Sequence, residues 1–235
     1  MSRGAMNEEP LGAEPVEAVL FDIDGTLITT GGAGAVAWDR AFRELYDKPA
    51  DIDEFAHAGM TDPEVGRLTF TGVMGREPSK KELARVMARR QHYLTETVVE
   101  SKGYRMMDGV EETLTRLVEA GMLLGLTTGN VESAAHTKLA RANLNRFFSF
   151  GGYGSDSTDR VELTKRGVER GIVVAGGSLR KDECISVGDT PLDVSAGHGA
   201  GIRVVGVATG NFTVEQLRDA GADWAVASLR NGLPA

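Results

Sequence analysis

Two kinds of sequence follow one another in this chain, and the break between them limits the fold to very few architectures. From residue 108 onward, short apolar runs alternate with amphipathic ones. Helices are expected over 108–120, 131–142, 161–170, 191–199 and 213–220, and strands over 122–126, 147–150, 184–187, 202–207 and 224–226. Such alternation implies a parallel sheet with helices on both faces. One more β-prone run, 16–21, stands apart from this series. Between it and residue 108 no convincing strand occurs: 33–46, a stretch opening at Pro63, and 79–101 all read as helices. A gap of about 80 residues is too long for a loop in a compact domain. The expected fold is therefore α/β, a doubly wound parallel sheet with a helical cap domain inserted after the first strand. The core would take 16–27 and 108–235, and the cap 28–107. Residues 1–15, small, polar and acidic, are expected to form a disordered tail.

Local signals support the helix assignments. Ser79 with Glu82, Asp108 with Glu111 and Thr213 with Gln216 have capping-box spacing. In the long helix, Leu83, Val86, Met87, Leu94 and Val98 fall near one face. Lys80, Lys81, Arg85, Arg89 and Arg90 are read as a solvated charged surface.

With 235 residues and 41% hydrophobic content, the chain can bury a sizeable core. A formal net charge of −8 argues against a general affinity for nucleic acid. Cys184 is the only cysteine, so an internal disulfide is excluded, and its apolar surroundings suggest a buried structural thiol. No apolar run reaches the length that crosses a bilayer, and no signal-type segment opens the chain. No membrane partner is expected, and cytoplasmic residence is the default. Nothing in the sequence sets an oligomeric state.

Four groups of residues fall at or just beyond carboxyl ends of strands, where ligands bind in such sheets. The first is Asp22-Ile23-Asp24-Gly25-Thr26, after strand 16–21. Two carboxylates about 5 Å apart at an effective dielectric near 20 repel by about 3 kcal/mol, so a cation or a shared proton is expected between them. The second is Thr127-Thr128-Gly129-Asn130, where hydroxyls and free N–H groups at a helix start suit an anion; Asn130 also suits a simple helix cap. The third is 156–165, where Arg160 or Lys165 supplies a cation. The fourth is Gly188-Asp189-Thr190-Pro191-Leu192-Asp193, with two acids four residues apart at a helix start. Together these acids suit a magnesium site of hard oxygen ligands.

The first and fourth motifs resemble those of the haloacid dehalogenase superfamily. Thr128 and Arg160 (or Lys165) stand where the other two belong. The helical insertion and Gly59-Met60-Thr61-Asp62-Pro63-Glu64 resemble its phosphoglycolate-phosphatase-like branch. That branch usually carries Lys before Pro-x-Pro at the third motif, whereas this chain has Thr158-Asp159-Arg160-Val161-Glu162-Leu163. Arg160 is preferred because it opens a helix beside the strand ends.

The resemblance implies a Rossmann-like core and a Mg²⁺-dependent phosphatase for a small phosphorylated metabolite. Asp22 would be the nucleophile and Asp24 the acid and base. Asp22, the Asp24 carbonyl and Asp189 would hold Mg²⁺, with Asp193 orienting them. Thr128, Gly129, Asn130 and Arg160 would bind the phosphoryl group. Thr61 and Asp62 are expected to line the entrance, and His57 to be structural. A sugar-phosphate mutase would use the same aspartates, and a phospho-accepting signalling module is a third reading.

Overall fold

The computed structural model describes residues 16–233. The expected tail, 1–15, lies outside the described residues. Six parallel strands form the main sheet: β1 (Ala18–Phe21), β4 (Leu123–Thr128), β5 (Phe150–Tyr153), β6 (Cys184–Gly188), β7 (Arg203–Val207) and β8 (Trp224–Val226). Their order across the sheet is β5-β4-β1-β6-β7-β8, with β1 paired in parallel to β4 and β6. Strand order therefore reverses direction at β1, and the residues leaving β1 enter the crevice where such sheets bind ligands.

The short β1 segment is buried on both faces because its side chains alternate between two cores. Val19 and Phe21 join Leu114, Leu139 and Val205 in one apolar cluster, while Ala18 and Leu20 join Val168 and Cys184 in the other. Helices α4 (Val110–Glu119), α5 (Glu132–Ala140), α6 (Arg160–Val174), α7 (Pro191–Ala200) and α8 (Val214–Asp219) follow the strands in alternation. The Cys184 thiol is buried, and burial pushes it up to about 11. No described helix is long and apolar enough to cross a membrane.

Between β1 and β4 lie α1 (Ala33–Tyr46), α2 (Asp62–Met74) and α3 (Lys80–Glu100), which share their own apolar cluster around Trp38, Phe42, Phe70 and Val86. The insert also corrects an expectation. Ile28–Thr29 (β2) and Arg105–Met106 (β3) form a two-stranded antiparallel ribbon where no strand is predicted. Two residues per strand are too few for a period-2 pattern to register. The ribbon ties together the chain's exit into the insert and its return.

Other boundaries shift for identifiable reasons. The Ser79/Glu82 and Thr213/Gln216 capping boxes form. The Asp108/Glu111 box does not, because Gly109 occupies the cap position at φ 80° and Asp108 lies exposed. The strand expected at 147–150 begins only at Phe150, since Asn143 in the left-handed region starts a tight turn over Leu144–Phe147 that buries Leu144.

Candidate active site

Asp22 follows β1 directly, and its N–H donates to the Val187 carbonyl at 2.9 Å, extending the β1–β6 pairing by one residue. The chain then turns sharply: Gly25 N–H donates to Ile28 O at 2.8 Å. Gly25 has φ 88°, and a methyl group there would collide with the Asp189 carboxylate. Glycine at 25 is thus required twice, by backbone conformation and by close approach. Thr26 Oγ donates to Asp189 Oδ1 at 3.2 Å. The turn after β1 and the loop after β6 are packed as one unit.

That packing gathers acids. Asp22, Asp189 and Asp193 each offer an oxygen within 4.8 Å of the others, and all three are buried. Burial, reinforced by Asp193, pushes the Asp189 carboxyl up to about 7. Burial and the neighbouring Asp193 raise Asp22 well above the usual carboxylate range, against the opposing pull of Arg160. Asp193 is already engaged: Oδ2 accepts from Thr190 N–H (3.1 Å) and Thr190 Oγ (2.7 Å), and Oδ1 accepts from Arg160. The Thr190 N–H bond, with the return bond from Asp193 N–H to Thr190 Oγ at 3.2 Å, forms the capping box that starts α7. Asp22 and Asp189 keep oxygens uncommitted to such a network. Three crowded, buried carboxylates, two of them (Asp22 and Asp189) with raised proton affinity, are a donor set that fits a hard divalent cation.

Arg160 opens α6 and places Nη1 3.8 Å from Asp22 Oδ1 while bonding Asp193 with Nη2. Its side chain is only 10% exposed. Lys165 instead pairs with Glu162 at 2.7 Å on the surface, so of the two candidates only Arg160 reaches the cavity. Of the two threonines at the end of β4, Thr127 shares a 2.8 Å hydrogen bond with Thr164 on α6. Thr128, Gly129 and Asn130 instead line a cavity of about 260 Å³ together with Asp22, Asp24 and Arg160. Asn130 does not cap α5, whose N-cap position is taken by Val131. Its Nδ2 donates to Thr128 Oγ (2.9 Å) and to Asp24 Oδ2 (2.8 Å).

Sequence reasoning missed two cations in this cavity. Lys138 on α5 reaches Asp24 Oδ2 at 2.6 Å and is nearly buried. Burial would raise the Asp24 carboxyl, but Lys138 and the Asn130 amide outweigh it and hold Asp24 below the usual range. The Asp24 carboxylate is therefore turned to Lys138 and stands outside the acid cluster. Arg90 is the second, and it corrects the solvated-surface reading of α3: it is 2% exposed and bonds both oxygens of Asp62, at 3.0 and 3.1 Å. Helical spacing held the signal for both. Position 90 continues the buried series 86, 94, 98, and position 138 lies four after buried Ala134.

The insert forms the opposite wall of the cavity through Asp62, Arg90 and Trp38. Thr61, expected beside Asp62 at the entrance, is buried away from this wall, and its hydroxyl has no partner. His57 is exposed.

A sequence profile described as haloacid dehalogenase-like hydrolase matches residues 19–207. The chain is 26% identical over 191 residues to a phosphoglycolate phosphatase of Aquifex aeolicus (strain VF5), covering 80% of this chain and 83% of the relative. It is 28% identical over 199 residues to the pyrophosphatase PpaX of Halalkalibacterium halodurans, covering 82% and 85%. Among solved structures, one described as a predicted phosphoglycolate phosphatase from Haemophilus somnus 129pt shares the fold. Its TM-score is 0.72 at 20% identity, over 94% of this chain and 97% of that one. The chain belongs to the haloacid dehalogenase-like hydrolases, on their phosphoglycolate-phosphatase-like branch.

Proposed function

We propose that the chain is a Mg²⁺-dependent phosphatase that hydrolyses a small organic phosphate monoester, of the phosphoglycolate type, through an aspartyl-phosphate on Asp22. One observation carries this reading: Asp22, with Arg160 beside it, borders a cavity of about 260 Å³ and belongs to the buried acid cluster. In this reading 16–27 and 108–235 form the catalytic core and 28–107 the cap, which excludes water from the cavity.

An Asp22 oxygen attacks phosphorus, and the bond from phosphorus to the leaving oxygen breaks. Asp24 rests as the anion against Lys138. An incoming phosphate dianion opposes that charge and favours a proton on Asp24, which passes to the leaving oxygen. Asp24 then accepts a proton from the water that cleaves the acyl phosphate. Thr128 Oγ and the Gly129 N–H bind the phosphoryl oxygens, the Asn130 amide holds Thr128 and Asp24 in place beside them, and Arg160 offsets the phosphoryl charge. The carboxylates of Asp22 and Asp189 and the backbone carbonyl of Asp24 would hold the cation, with Asp193 orienting this set through Arg160 and Thr190. When bound, the cation neutralises the repulsion between an anionic nucleophile and an anionic phosphate.

Phosphate release from p-nitrophenyl phosphate, with Mg²⁺ and after chelation, tests the reading. Release that requires Mg²⁺ supports it, and absence of release under both conditions refutes it. A panel of small phosphates, inorganic pyrophosphate included, then identifies the substrate class. Isomerisation of a sugar phosphate without phosphate release would identify a mutase instead.

A further inference from the structure

We propose that Asp62 is a positioning residue for phosphoryl transfer: from the helical insert it locks the turn after β4 into the shape that grips the phosphoryl group, and Arg90 holds it there. The inference rests on the phosphatase reading of the cavity.

Asp62 brackets that turn from both sides. Its own N–H donates to the Gly129 carbonyl at 2.7 Å, and its Oδ2 accepts from Val131 N–H at 2.9 Å. Asn130 lies between these two anchors, and its amide reaches Thr128 and Asp24. Val131 is the N-cap residue of α5, and no side chain of its own segment caps that end. A helix start without a cap leaves N–H groups unpaired and carries the positive end of the dipole. The missing carboxylate is supplied by Asp62, from across the cavity. The turn is therefore fully bonded only when the insert is docked on the core.

The docking is close. A methyl group at Gly129 would collide with the Met60 carbonyl and come within 3.1 Å of Arg160 Nη1. Arg90 meets both Asp62 oxygens in the parallel fork that guanidinium allows and ammonium does not, and its guanidinium lies 5.3 Å from the Trp38 ring centre. Arg90 Nε is buried with no partner, so the side chain's hydrogen-bonding is directed at Asp62.

The test uses the full chain with Asp62→Asn, Arg90→Lys and the double variant. An amide oxygen cannot serve all three donors that the carboxylate serves. Two quantities are read: amide hydrogen exchange at residues 129–131, and kcat/KM for p-nitrophenyl phosphate with Mg²⁺. Asp62→Asn is expected to speed exchange at 129–131 at least tenfold, leave β1 amides unchanged, and lower kcat/KM at least tenfold. Arg90→Lys should act in the same direction by less. The double variant should be no worse than Asp62→Asn, because both act through one carboxylate. A folded Asp62→Asn protein with unchanged exchange at 129–131, or with unchanged kcat/KM, overturns the proposal. If Asp62→Asn does not fold, Arg90→Lys decides on the same readouts. An unsubstituted protein without turnover refutes the phosphatase reading alone, and exchange at 129–131 then decides whether Asp62 anchors the turn.

Discussion

The two walls of the cavity handle charge differently. On the core side, Asp22, Asp189 and Asp193 crowd around a single guanidinium, Arg160. Proton affinity rises at Asp22 and Asp189, with the Asp189 carboxyl pushed up to about 7 by burial and Asp193. On the insert side, Asp62 meets Arg90 one to one, in parallel hydrogen bonds, both side chains nearly buried. The insert wall is electrically complete as it stands. With its carboxylates ionised, the core wall carries two more negative charges than positive ones, a difference that a divalent cation would offset.

Breaking the core wall should have the largest effect. Asp22→Asn is expected to lower phosphatase turnover by roughly 10⁴-fold or more. Its melting temperature without metal should not fall, because the substitution removes a buried charge from a crowded cluster. A large loss of stability would instead give Asp22 a structural role. Arg160→Ala should reduce kcat by about 10²–10³-fold. It should also destabilise the fold by about 3–5 kcal/mol, since Asp22 and Asp193 lose their cation; urea unfolding without metal measures this, and added Mg²⁺ should recover part of it. Arg90→Met on the insert wall should cost a similar 3–5 kcal/mol, but Mg²⁺ should recover none of it. Equal rescue of the two variants would erase the distinction between the walls.

The smallest expected effect is a dependence on pH. Asp189 and Asp22 have raised proton affinity in the fold, so the metal-free folded state binds protons that the unfolded chain releases. Their contribution is present at low pH and lost as pH rises toward about 7, the folded value of Asp189. Asp24 is held low and acts in the opposite sense, losing its contribution as pH falls. Because a cation must displace the Asp189 proton, the thermal shift produced by Mg²⁺ should be larger at pH 8 than at pH 6. Thermal denaturation with and without Mg²⁺ checks both statements.

The same contrast governs what could be read from the sequence. Strand–helix alternation after residue 108 is legible because each strand is a continuous apolar run and each helix an amphipathic one. β5 is the misplaced strand, because Phe147 and Phe148 extend its apolar run backward into a turn set by Asn143. Carboxylates such as Asp22 and Asp189 stand out because they directly follow apolar strands. Arg90 and Lys138 do not, because each sits in a helix whose other charges face solvent. Only their place on a buried stripe marks them, and that needs the fold to be read. The Asp62 bonds to Gly129 and Val131 join residues about 70 positions apart and leave no local pattern.

The central claim is that Asp22 becomes covalently phosphorylated, and chemical trapping tests it most directly. The protein would be quenched during turnover of p-nitrophenyl phosphate with Mg²⁺, using a hydride reagent that reduces acyl phosphates to alcohols, and digested for mass spectrometry. The account predicts the alcohol at residue 22, with Asp24 intact. Active turnover with residue 22 unmodified, or with the modification on another carboxylate, would contradict it.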